Sequence, residues 1–339
     1  MKSKLLKYDK LNQQLYHSIK GDFETSDRMI NELLEEQPNN PKVIYNSAFI
    51  FLRNGNIKEG MKRINHGGRS AEVFGNGNLP FPILNINDVK NKTVLVNLEG
   101  GFGDNFVGLK FARELHKKGA RTITLSLKPL FSLLDRQHYI YAYYNDISEI
   151  KENIDYWMPS MAAEHLFNYT NYNQLPRDTH IFYNHNNNLY NDRIKIGVKF
   201  RGNKDFDHDK YRSPNVDVIV QSLEDFRGVV EFHSLEKDNI ELPNWIIKHD
   251  INDFCDTANI IQQMNFVVST CTSIAHLSAG LGKKTIIMLP ILPYWIWAYE
   301  RKDKGSWYYD CVTLIRQERF GCWYNVLDEI KNVIEGEII

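Results

Sequence analysis

The chain has 339 residues, 42% of them hydrophobic, and its 41 Lys and Arg against 42 Asp and Glu leave a net charge of −1. That length exceeds one ordinary core and argues for two domains plus an appendage, while the balanced charge excludes an unaided, non-specific nucleic-acid binder and leaves room for a local basic cleft. Cys255, Cys271, Cys311 and Cys322 show neither Cys-x-x-Cys nor metal-ligand spacing, which argues against a disulfide framework and for a reducing compartment.

At the amino terminus no apolar run reaches signal-peptide length, and no later segment is long enough to cross a bilayer, so a cytoplasmic protein is expected. Gly21-Asp22-Phe23 and Gly55-Asn56-Ile57 stand 34 residues apart, each between stretches of helical apolar spacing: Ser26 to Glu36, Val43 to Arg53 and Lys58 to Ile64. That is the period of a tetratricopeptide repeat (TPR). Such a short array cannot bury its own faces, so residues 1–66 are expected to pack on the neighbouring domain. The stretch from His66 to Pro82 is rich in Gly, Asn and Pro and reads as a loop, within a linker placed at 67–90.

Thr93 to Leu98 reads as a buried strand, followed by Glu99-Gly100-Gly101-Phe102-Gly103-Asp104, a helix through Leu115 and a second strand from Thr122 to Leu127. This is a strand–helix–strand unit of an open α/β sheet. A dinucleotide site is disfavoured: the third glycine is missing, and the second strand ends without an acid for a ribose. A second unit starts at Lys195 to Phe200, continues through Val229 to His233 and Phe266 to Val268, and adds a strand at Lys284 to Leu289. Two such halves, 91–190 and 191–339, place a cleft at the carboxyl ends of both sheets.

After Phe266-Val267-Val268 come the small residues Ser269 to Ser273, and a helix is expected to begin near Thr272. Its first turn carries amide groups without intrahelical partners at the positive end of the helix dipole, a fitting site for a phosphate or diphosphate. The local pattern is equally met by Thr272 or Ser273 as a plain N-cap and Gly282 as a helix stop.

Taken in order, Glu99 to Asp104, Ile196 to Asn203, Tyr211-Arg212-Ser213, Phe232 to Glu236, Asp253 to Ala258 and Cys271 to Leu277 resemble the landmarks of GT-B glycosyltransferases of the heptosyltransferase-like group, family 9-like. They are closest to bacterial transferases linked to TPRs. Pro293 to Trp297 and Ser306-Trp307-Tyr308 resemble that group's aromatic loop. The resemblance implies an α/β protein with two facing Rossmann-like domains, the acceptor domain first and the nucleotide-sugar donor domain second, behind a short TPR-like helical segment. It also implies metal-independent, inverting transfer of a sugar from a nucleotide-diphosphate sugar, which is a co-substrate and not a cofactor, to an acceptor hydroxyl on a surface saccharide. No Asp-x-Asp pair stands at a strand end to hold a metal.

By the same resemblance Asp104 is the general base, with an ordinary helix-capping role as its alternative, and Glu99 is a second candidate. Donor binding falls to Cys271, Thr272, Ser273, His276 and Glu236, with Arg201, Lys204 and Arg212 supplying positive charge from a loop that also carries Asp205, Asp207 and Asp209. Gly101, Gly103 and Trp297 are expected at the acceptor side, Trp297 with Trp295, Trp307 and Tyr308 as an aromatic platform, with a plain core cluster as the alternative. The chain departs from the group at Cys271, where many members have Asp, and at Gly100, where the repeat-linked proteins have Gln. Two other readings fit the same residues: a phage-type transferase acting on hydroxymethylated DNA, and a repeat-bearing interaction protein with a spent transferase fold.

Overall fold

Four N-terminal helices form two antiparallel hairpins: α1 (Lys2–Ile19) on α2 (Phe23–Glu36), and α3 (Pro41–Arg53) on α4 (Ile57–Ser70). The computed structural model describes residues 2–70, 78–183, 193–203 and 209–338, and side chains from residue 10 onward. Gly21 and Gly55, at φ +83° and +82°, turn the chain between the helices of each hairpin, a backbone state that glycine adopts without penalty. Asp22 caps α2 and Asn40 caps α3, where Pro41 follows at the first helical position.

One expectation is corrected here. The helical segment opens with α1, inside the range expected to be helical, but α4 runs through Gly67 and Gly68 into the stretch read as loop. Gly67 is helical because a close approach requires it: a Cβ there would lie 2.5 Å from the Tyr45 amide nitrogen. Farther on, Pro82 to Leu84 joins the first sheet's edge, the Leu84 N–H donating to the Trp157 carbonyl at 2.9 Å.

The first lobe is a four-stranded parallel sheet, β3-β2-β1-β4, from β1 (Thr93–Asn97), β2 (Arg121–Leu125), β3 (Ala142–Tyr144) and β4 (Tyr156–Pro159). Its helices are α5 (Phe102–Lys117) and the short α6 (Phe131–Leu134) and α7 (Ala163–Leu166). The second lobe is a six-stranded parallel sheet, β10-β9-β8-β5-β6-β7. Its strands are β5 (Ile194–Lys199), β6 (Val230–Ser234), β7 (Ile246–Ile247), β8 (Phe266–Thr270), β9 (Thr285–Leu289) and β10 (Val312–Arg316). Its helices are α8 (Asp209–Arg212), α9 (Val216–Leu223), α10 (Phe254–Gln263), α11 (Ser273–Gly280) and α12 (Tyr324–Ile338). Strands β8 and β9 are buried at every position, which is why they read as unbroken apolar runs.

The lobes meet through α5 and α11, and Phe254 at the start of α10 packs edge-on against Phe102 and Phe106. The helical segment touches both lobes. Its Gly21 and Gly55 approach Ile291 and Tyr299 of the second lobe, the Leu52 carbonyl accepts from the Tyr172 hydroxyl at 3.2 Å, and Arg69 pairs with Glu99 of the first. One apolar cluster runs from Leu52 and Ile64 through Val96 and Phe106 to Ile274 and Trp297.

Candidate functional site

Parallel pairing of β1 with β2 in one sheet and of β5 with β8 in the other brings the turns after their carboxyl ends to the boundary between lobes. On the second lobe, Thr272 is the N-cap of α11 in extended backbone, and its side chain makes no capping hydrogen bond. The Thr272 hydroxyl lies instead 3.3 Å from that of Ser269. Among the described residues no side-chain hydrogen bond from the N-cap closes the first turn of α11, which opens with half-buried Ser273, the condition in which first-turn amides can take an anion.

Facing it, Gly101 is the N-cap of α5. The Asp104 carboxylate accepts the Gly101 amide through Oδ2 at 2.8 Å and the Tyr294 hydroxyl through Oδ1 at 2.5 Å. Burial raises its pKa, opposed by the Tyr294 hydroxyl and the Gly101 amide. Burial and the neighbouring carboxylate in turn push the Tyr294 phenol well above its ordinary value. The departure at Gly100 has a physical reason: at φ +76°, a Cβ would stand 2.5 Å from Asp104 Oδ2. Gly103 allows the two helix starts to approach, since its Cβ would lie 3.0 Å from the His276 ring.

His276 is 4% exposed, bonds the Tyr309 hydroxyl through Nδ1 at 3.0 Å and stacks on Trp297 at 4.6 Å. Burial lowers its pKa to about 3, helped by the Lys110 charge, so the ring is neutral. Trp297 is fully buried and presents no face to a ligand, a correction to the expected platform. Tyr308 is likewise fully buried, its hydroxyl donating to Glu164 at 2.9 Å. These rings are core because the loop after β9 is clamped between the lobes.

Glu99 faces Arg69 of α4 rather than open space, and its Oε2 accepts the Met161 amide at 3.3 Å. Burial raises its pKa against the pull of Arg69. Glu236, expected near the nucleotide or else exposed, is 6% exposed. It pairs with Lys199 and accepts the amides of Phe200 and Arg201 at 2.9 and 3.1 Å, fixing the turn after β5. Arg201 lies 3.7 Å from Asp238, and its buried Nε has no hydrogen-bond partner among the described residues. Arg212 Nε donates to Asp209 at 2.9 Å. Lys204 lies outside the described residues. Arg212, Cys271 and Tyr294 line one cavity, which joins the basic loop, the start of α11 and the partner of Asp104.

Three site features carried no local signal. Tyr294 was visible only as part of an aromatic loop, and Arg69 as one more helical cation. Lys110 is fully buried on α5 between Leu109 and Phe111, donating to the Tyr308 carbonyl and lying 4.0 Å from the Tyr309 ring centre. A lysine inside an apolar helix face was the available hint. Among the described residues no group of three His, Cys, Asp or Glu side chains is placed to hold a metal ion, and no helix is long and apolar enough to cross a membrane.

No family model and no curated protein matches the chain. Solved structures do. The iron-containing dodecameric glycosyltransferase TibC of enterotoxigenic E. coli H10407 aligns at a TM-score of 0.50 and 10% identity over 69% of this chain and 65% of TibC, so the match spans just under two thirds of that protein. The E. coli ADP-heptose lps heptosyltransferase II aligns at 0.50 and 11% identity, over 73% of this chain and 100% of the transferase. At such identities the likeness concerns architecture: the two parallel-sheet lobes form a GT-B fold like that of these two transferases.

Proposed function

We propose that the chain is an inverting, metal-independent glycosyltransferase that moves a sugar from a nucleotide-diphosphate sugar to an acceptor hydroxyl. The first sheet lobe takes the acceptor and the second the donor, with the TPR-like helices packed across both. The observation that carries the reading is the meeting of a raised-pKa carboxylate, Asp104, with a hydroxyl at 2.5 Å, opposite a helix start whose N-cap side chain makes no capping hydrogen bond among the described residues.

In the reaction, the bond from the anomeric carbon to the leaving phosphate oxygen breaks as the acceptor oxygen bonds the opposite face of that carbon. The acceptor proton passes to Asp104, and the electron pair leaves on the diphosphate. A base with raised pKa holds that proton better, and the Tyr294 hydroxyl marks the position from which the acceptor hydroxyl displaces it. The diphosphate sits on the amides of Ser273 and Ile274 behind Thr272. Arg201 and Arg212 supply countercharge, and Lys204 is placed with them by the sequence. Cys271, uncharged where an aspartate would repel the anion, borders the same turn. Neutral His276 supports the first turn of α11, and Glu236 holds the backbone of Phe200 and Arg201 toward the donor.

A panel of nucleoside diphosphates tests the donor assignment by thermal shift: a ligand at a hundred times its Kd stabilises by about 2.7 kcal/mol and raises the melting temperature. No shift with any member of the panel would overturn the assignment. Asp104→Asn is expected to lower kcat by roughly 10²- to 10⁴-fold while the nucleotide shift persists.

A further inference from the structure

The cavity bordered by Arg212, Cys271 and Tyr294 has a volume of about 240 Å³. Helices α1 and α3 form one side of it, and α8, Cys271 and the loop after β9 form the other. Among the described residues none from the first sheet lobe lines it, which sets it on the donor side of the molecule. A dry protein cavity of about 150 Å³ accommodates benzene, so this one has room for a six-membered sugar ring with its hydroxyls.

Three polar side chains of the helices line it and, among the described residues, keep hydrogen-bonding capacity to spare. Gln14, 6% exposed, donates from Nε2 to Ser18 and Ser26 at 3.2 and 2.7 Å, which leaves its carbonyl oxygen. Asn46 gives an N–H to the Lys42 carbonyl at 2.7 Å and keeps its oxygen and its second N–H. Arg53 holds both Asp27 oxygens through Nη2 alone, at 2.6 Å, and keeps the donors of its other two nitrogens. Around them Phe49, Ile50 and Leu292 are apolar, the combination of apolar wall and a few polar groups that holds and orients a small ligand. Spare acceptors and donors in one wall favour a ligand that brings both, and each hydroxyl of a sugar is donor and acceptor at once.

Position points the same way. In a nucleotide-diphosphate sugar, the sugar lies between the diphosphate and the base that activates the acceptor. Cys271 stands directly before Thr272, the N-cap of α11, and the Tyr294 hydroxyl reaches Asp104; the cavity touches both Cys271 and Tyr294. We infer that it is the donor-sugar subsite and that the N-terminal helices select the sugar, with Gln14, Asn46 and Arg53 bonding its hydroxyls. The inference rests on the transferase reading and names the residues that give it donor specificity. The helical segment thereby becomes part of the substrate site.

Calorimetric titration of the full chain tests this with UDP, ADP, GDP and dTDP, and with UDP-glucose, ADP-glucose, GDP-mannose and dTDP-glucose. Two variants act on the cavity in different ways: Asn46→Leu removes the amide at similar size, and Ile50→Trp fills the space. In both, the sugar nucleotide that the wild type binds is expected to weaken by about tenfold or more, while its own diphosphate stays within about twofold. Cooperative melting together with that retained diphosphate affinity shows that the variants fold. Sugar-nucleotide affinity unchanged in the folded variants, equal weakening of the diphosphate and its sugar, or a wild type that binds a diphosphate but none of the sugar nucleotides would each overturn the inference. Failure of every diphosphate and every sugar nucleotide to bind the wild type would sink the transferase reading itself.

Discussion

Asp104 shows how one side chain serves local structure and chemistry together. Its Oδ2 closes the first turn of α5 on the Gly101 amide, leaving Oδ1 to Tyr294. Because the Tyr294 hydroxyl lowers the carboxyl pKa against burial, Tyr294→Phe removes that opposition and raises it further. If Asp104 is the base, the acid limb of the kcat/KM profile moves to higher pH; an unmoved limb would remove Asp104 from that role. A second carboxyl offers a stability test. Burial raises Glu164 to about 7, with Tyr308 and Lys110 opposing. A carboxyl whose folded pKa lies above its unfolded one contributes stability that is full below the unfolded value and is lost as pH rises through the folded value. Wild-type stability should therefore lose up to about 3 kcal/mol from this group between pH 4.5 and 7, and Glu164→Gln should flatten that decline in urea unfolding. Lys110, lowered to about 7 by burial, acts with the opposite sign above neutrality: its neutral folded form adds stability as pH rises toward the ordinary lysine value.

Elements were legible where local chemistry decides them. The buried strands β1, β5, β8 and β9 read as apolar runs because both faces of a parallel sheet are covered, and the start of α11 showed in its run of small hydroxyl residues. Helix α1 lies inside the range read as helical but has no clear stripe of its own, because it stands on packing against α2, including Gln14 reaching Ser26, and tertiary packing overrides a weak amphipathic stripe. The length of α4 was missed for a related reason, since glycine ordinarily signals a break. Gly67 provides the test. An alanine in an ordinary exposed helix interior gains roughly 1 kcal/mol over glycine. Here the new Cβ meets the backbone of Tyr45 and Pro41 at 2.5 and 2.7 Å, so Gly67→Ala should instead cost about 1–3 kcal/mol. A melting temperature at or above wild type would mean that the α3–α4 contact gives way easily.

For the whole molecule, the helical segment is the part that ties the lobes together, which spacing in one dimension could not disclose. The aromatic loop from Pro293 to Trp297 was read as a ligand platform because its rings were visible in the sequence. Its partners on α3 and α5 were not, so the choice between platform and core stayed open in the sequence. Arg69 belongs to the same class: it leaves α4 to meet Glu99 at the end of β1, with 11% and 1% of the two side chains exposed. Removing one member of a buried pair strands the other charge. Arg69→Met is thus expected to cost about 3 kcal/mol at pH 7. Glu99, already raised by burial, then loses its nearest cation and rises further. It folds protonated at low pH without that cost, so the loss should shrink at pH 5 and grow with pH. Adding Glu99→Gln should recover much of it, because no carboxylate remains to be desolvated. Urea unfolding of the wild type, both single variants and the double variant at pH 5 and pH 7 measures the coupling directly. A loss independent of pH and untouched by Glu99→Gln would show that Arg69 holds the segment by its guanidinium over Trp157, 5.9 Å from the ring centre, and that the ion pair is incidental.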